Sequence, residues 1–285
     1  MNYKELFSKT PPTKLFFTAA IPGSIGMLAS ALYQTIDGVF VGRFLRQILS
    51  GNAFAALNLA MPLVIINFSL ADLIGVGSAV PISVRLGEKK EAEANNIFTS
   101  ACLMIVITGL ILGLAMFLAA PALIGLMGAE GELAKLAVQY LRVYCLCSPV
   151  TTIVFAMDNY LKICGRVRSS MALNIVMSVL SAVLEFIFLF VFRFGIWAAA
   201  LATCTSMFLC ALAALYPFFG KKMQLRFVRP RLNRTMIKTI VTCGSPNFLN
   251  NVAGRITSII MNMILLRVGG ATAVSVYGIL MFADG

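Results

Sequence analysis

The chain has 285 residues, 60% of them hydrophobic and 12% charged, a balance with too little polar surface to cover a water-soluble globule of this size. Lipid is therefore the expected solvent for most of it. The net charge of +12 does not point to nucleic acid, because the basic residues are dispersed through short hydrophilic segments and form no soluble basic domain that could hold a duplex.

At about 20 apolar residues per crossing, the sequence predicts an all-α, polytopic membrane protein. Crossings are expected near 15–40, 53–81, 97–119, 134–161, 169–192, 195–218 and 239–266, with a further apolar run opening at Ala271. The first run starts near Leu15 and outlasts a signal-peptide core without an A-x-A site, so it is expected to stay in the protein as a helix. Lys and Arg concentrate on one side: at the amino terminus, in the second loop (Arg85, Lys89, Lys90), in the fourth (Lys162, Arg166, Arg168) and most heavily between Lys221 and Lys238. The opposite side carries few, among them Arg43, Lys135 and Arg193. This asymmetry predicts a cytoplasmic amino terminus for an inner-membrane protein.

A repeat supports a division into lobes. Pro22 through Arg43 aligns with Pro246 through Arg267 at a constant offset of 224 residues, and an even number of crossings between the copies gives them the same direction, as in parallel-repeat transporters. The expected units are a six-helix lobe over 1–218, a cytoplasmic connector over 219–238, and the start of a second lobe over 239–285.

Cysteine usage argues against metal and disulfide chemistry. Seven cysteines lie almost wholly within apolar runs and histidine is absent, so they read as small core residues. No metal, cofactor or catalytic centre is expected. There is no histidine for a metal site, no G-x-S-x-G turn and no intramembrane Gly-x-Gly-Asp sequence of the presenilin type.

Ionisable groups within a bilayer cost several kcal/mol on insertion scales, so those that remain are candidates for function. Asp37, Asp72, Asp158 and Glu185 fall within crossings. Asp37 lies six residues before Arg43 and Glu185 eight before Arg193, which sets both carboxylates about 10 Å below the outer boundary. Two acids at one depth could share a cation and trade a proton for Na⁺ or for a cationic substrate. Asp158 is four residues before Lys162, a spacing that favours an ordinary helical ion pair. Asp72, beside Ser69 and followed by Gly75 and Gly77, reads equally well as a functional acid or as a hydrogen-bonding contact to a neighbouring helix.

Three segments resemble the multidrug and toxic compound extrusion (MATE) family: Ile36-Asp37-Gly38-Val39-Phe40-Val41-Gly42-Arg43, Asn159-Tyr160-Leu161-Lys162 with Gly165, and Gly195-Ile196-Trp197-Ala198-Ala199-Ala200. Within the family the likeness is greatest to the bacterial DinF/MepA-like branch. The resemblance implies a twelve-helix antiporter of two lobes that expels cationic or amphipathic small molecules against H⁺ or Na⁺. It matches Asp37 and Glu185 to the family's first- and fifth-helix acids, the second with a longer side chain. Ser181 stands where the family usually has asparagine, and Asn174, Ser181 and Thr203 are the expected polar partners. Family members run to roughly 450 residues, so the expectation is a carboxy-terminally truncated chain that needs a second copy or the missing carboxy-terminal lobe. Two alternatives are an inactive fragment and a lipid-linked saccharide flippase. The flippase would call for several intramembrane cations to hold phosphate, where only Arg142 and Arg255 lie within crossings.

Overall fold

The computed structural model describes residues 52–220 and 223–284 together with scattered positions between Pro11 and Leu28. Asp37 and most of the first copy of the repeat and of the first crossing lie outside the described residues. The scattered positions from Thr13 to Leu28 are helical.

From Asn52 onward the described residues form seven α-helices: α1 (Asn52–Gly87), α2 (Glu91–Leu126), α3 (Gly131–Thr151), α4 (Ile153–Ile163), α5 (Val167–Phe186), α6 (Ile196–Phe219) and α7 (Arg234–Asp284). Each expected crossing from the second onward has its helix, and six helical spans among the described residues are long and apolar enough to cross a membrane. The chain is a multi-pass membrane protein. α3 and α4 together make one span, Gly131–Ile163. Pro149 lies just before the break between them, where its ring removes an amide donor and bends the helix.

α7 contains two arms. Gly270 has φ 62° and ψ −160°, a conformation open to glycine and closed to residues with a Cβ. Asn262 donates to the Asn58 carbonyl at 3.0 Å, and Gly278, on the far side of the break, also packs on Asn58. Sixteen residues of straight helix would separate these two contacts by about 24 Å, so the chain reverses direction at Gly270. That reversal divides the seventh crossing from the run expected to open at Ala271.

The interior holds two apolar clusters stacked along the bundle. One joins the first turns of α1 to α3 and the start of α6, around Leu59, Ile124, Leu141 and Ile196. The other joins the last turns of α1 to α2, α4 and the end of α6, around Ile82, Phe98, Tyr160 and Phe218. The second cluster lies at the end of the bundle that carries Arg85, Lys90 and Arg166, called the basic end below.

The most extensive helix contact is between α1 and α7. Near the basic end it has no room for side chains. A methyl on Gly77 would overlap the Ile240 carbonyl oxygen, and one on Gly244 would overlap the Leu73 carbonyl oxygen. Small residues at such crossings let backbones approach where lipid supplies no hydrophobic drive for helix association.

Candidate cation and substrate site

Glu185 ends its helix among apolar residues but its carboxylate turns inward, with 7% of the residue exposed. α5 carries Ser181 one turn earlier and α6 brings Thr203 alongside. Thr203 Oγ1 donates to Glu185 Oε1 at 2.8 Å, and Ser181 Oγ donates to Thr203 Oγ1 at 3.4 Å. The Ala199 carbonyl, 3.3 Å away, is a second acceptor for the Thr203 hydroxyl, so one proton has two places to go. Immediately after Glu185 the helix widens into a π-helical turn, Ile187–Val191, a local rearrangement that often accompanies functional positions.

α3 closes this site with aromatic groups that sequence reasoning had not singled out. Tyr144 lies beside Thr203 and Tyr140, and the two tyrosine rings are 5.1 Å apart. Phe68 of α1 meets Tyr144 edge-on at 5.9 Å. One turn further along α3, buried Ser148 donates to Asn67 Oδ1 at 3.1 Å. Tyr140, Tyr144 and Ser148 are spaced four apart, so a polar stripe on one face of an otherwise apolar helix was the available signal.

The other acids are held differently. Lys162 Nζ donates to Asp158 Oδ2 at 2.6 Å, the helical pair its spacing predicts, while Ser170 Oγ and Asn174 Nδ2 both donate to Asp158 Oδ1, the latter at 3.0 Å. Asn174, expected from the resemblance as a partner of Glu185, is thus brought to Asp158 instead. It precedes Glu185 by eleven residues on one helix, a separation of about 16 Å. Asp72 accepts from Asn247 Nδ2 at 2.6 Å across the contact of α1 with α7, which fits the helix-contact reading of that acid. Arg142 lays its guanidinium over the Phe117 ring at 5.1 Å.

Among the described residues no three His, Cys, Asp or Glu are grouped as metal ligands. All seven cysteines are unbridged.

Residues 22–187, more than half of the chain, match the MatE family model. The chain belongs to the MatE family. Among curated MATE relatives, Multidrug export protein MepA of Staphylococcus aureus (strain NCTC 8325 / PS 47) is 27% identical over 277 residues, covering 96% of this chain and 60% of the relative. The solved structure of the MATE multidrug transporter DinF-BH superposes with a TM-score of 0.86 at 29% identity, covering 94% of this chain and 60% of that one. An inward-facing multidrug resistance MATE family transporter of the MOP superfamily gives 0.82 at 26% identity, covering 92% and 60%. The chain therefore spans about 60% of the length of the MATE proteins it matches.

Proposed function

We propose that this MATE chain acts in secondary multidrug efflux, exchanging H⁺ or Na⁺ for cationic or amphipathic small molecules across the bacterial cytoplasmic membrane. The basic end faces the cytoplasm, in keeping with the excess of Lys and Arg there. Residues 1–218 form one lobe, 219–238 the connector, and 239–285 the beginning of a second lobe. A complete pathway needs that second lobe, from further chain or from a second copy. The arm of α7 before Gly270 leaves Leu249, Ile256, Ile260 and Ile264 exposed, a stripe at helical spacing on which such a lobe would sit.

The observation that carries the reading is the Glu185 carboxylate, buried at membrane depth and met by the Thr203 hydroxyl. A carboxylate there costs about 3 kcal/mol to hold charged, so it stays neutralised by a proton, by Na⁺ or by a cationic substrate, and exchanging one for another couples their movements. Thr203 and Ser181 rotate their hydroxyls to suit either state, donating to a carboxylate or accepting from a carboxylic acid. Tyr140, Tyr144 and Phe68 provide flat apolar faces and ring quadrupoles that suit an organic cation. The family resemblance makes Asp37 the second coupling acid. No cofactor takes part beyond the coupling ion.

The test is loss of gradient-driven efflux of a cationic dye such as ethidium from energised vesicles when Glu185→Gln is introduced into a version completed by the second lobe that pumps the dye as wild type. Efflux that persists at the wild-type rate in that variant would remove Glu185 from the mechanism.

A further inference from the structure

The segment between α6 and α7 is an extended strap fixed to the start of α2. Its amides are taken by side chains of one helical face: Arg226 N–H donates to Asn95 Oδ1 at 2.8 Å, Val228 N–H to Thr99 Oγ1 at 3.0 Å, and Arg231 N–H to Asn96 Oδ1 at 2.7 Å. Asn96 Nδ2 returns a bond to the Arg231 carbonyl at 3.1 Å. Phe227 packs against Phe98 at 4.9 Å and Phe219 at 5.0 Å, and Met223 and Leu225 are buried. Fixing the backbone this way settles which side chains point outward. Met223 and Leu225 lie inside, Arg226 and Val228 outside, and everything from Val228 to Thr235 is exposed.

The exposed row is basic. Arg229, Arg231, Arg234 and Lys238 make no ion pair with any described residue. The neighbouring turn is the opposite case: Arg85 pairs with Glu88 at 2.8 Å and Glu93 at 3.0 Å, and Lys90 with Glu88 at 3.0 Å. Beside the strap, Tyr216 and Phe219 at the end of α6 and Leu232 within it are exposed, and tyrosine settles at the boundary between acyl chains and headgroups. These guanidinium groups, without an acidic partner among the described residues, are thus held by the strap's fixed backbone at the end of a membrane-length helix.

We propose that the strap is a docking surface for anionic phospholipid headgroups of the adjoining leaflet, with Arg229, Arg231 and Arg234 as the phosphate-binding groups and Asn95, Asn96 and Thr99 as the residues that present them. Guanidinium groups bind phosphate oxygens in paired geometry. A juxtamembrane cation near an anionic surface is worth about fivefold in binding at low salt. Docking would moor the connector, and the α2 end bonded to it, to the membrane surface. The inference does not depend on what the protein transports.

The test places the full chain in phosphatidylcholine nanodiscs with and without phosphatidylglycerol, and reads the phosphatidylglycerol retained per protein by native mass spectrometry. Wild type retains phosphatidylglycerol in preference to phosphatidylcholine. Arg229→Gln, Arg231→Gln and Arg234→Gln each weaken that preference by about fivefold at low salt, whereas replacing the three by lysine keeps most of it. Asn96→Ala, which changes no charge, lowers it by loosening the strap. Wild-type retention in all the glutamine variants overturns the proposal. So does equal displacement of the lipid by inorganic phosphate at low concentration, which would make the surface a site for free anions.

Discussion

The two halves of the bundle treat their carboxylates in opposite ways. Towards the basic end, Asp158 is met by an ammonium, a hydroxyl and an amide, and Asp72 by an amide from α7. In the other half Glu185 accepts from Thr203, a neutral hydroxyl that has a second acceptor in the Ala199 carbonyl. Of these three acids Glu185 is buried, while Asp72 and Asp158 are partly exposed. An ammonium joins the hydroxyl and amide on Asp158, whereas the Thr203 hydroxyl beside Glu185 can donate to a carboxylate or accept from a carboxylic acid.

This contrast can be broken at several points. The largest effect is expected where α1 and α7 cross with no side chain between them. Gly77→Ala and Gly244→Ala each force a methyl against a backbone carbonyl and should cost about 3 kcal/mol in unfolding titrations. Their effects should fall short of additive in the double variant, because relieving one overlap relieves the other. Asp158→Ala comes next, at about 2 kcal/mol, since it strands Lys162, Ser170 and Asn174. Glu185→Gln keeps an acceptor for Thr203 and should change stability by no more than about 0.5 kcal/mol in the same titration. A loss as large as that of Asp158→Ala would place Glu185 among the structural acids.

Asp72→Asn exchanges a charge-assisted bond for a neutral one and should cost about 1 kcal/mol. The smallest effect belongs to Glu88. Its hydrogen bond to Lys90, followed by that to Arg85, holds its carboxyl below the usual carboxylate range. Because the folded value is depressed, the contribution is present above the ordinary glutamate pKa and is lost as pH falls through the lower folded value. Glu88→Gln should flatten that part of the acid limb, read by circular dichroism, by slightly lowering stability at neutral pH and leaving it unchanged below the folded value.

Much of this was legible in the sequence. Apolar runs gave the crossings, because lipid allows few alternatives to helices of membrane length. The spacing of Asp158 and Lys162 gave their ion pair, a contact local to one helix. Asn247 as the partner of Asp72 was not legible, because the two are 175 residues apart and meet only through the Gly77 and Gly244 crossing. Asn174 shows the same limit: as a partner for Glu185 it followed from likeness to other proteins, and helical rise sends it to Asp158. Tyr140 and Tyr144 were missed because an aromatic residue in a membrane helix is ordinarily core or lipid-facing. The strap's path was hidden too, since Asn95, Asn96 and Thr99 sit in a segment that reads only as a helix start.

The central claim is that Glu185 exchanges its bound cation while Asp158 does not. The most direct measurement is binding of a fluorescent cationic dye to the purified chain across pH and Na⁺ concentration, in wild type, Glu185→Gln and Asp158→Asn. Competition at Glu185 predicts that wild-type binding strengthens as pH rises or weakens as Na⁺ is added. Asp158→Asn should keep that dependence and Glu185→Gln should lose it. A Glu185→Gln protein that retains the wild-type pH and Na⁺ dependence would contradict the account.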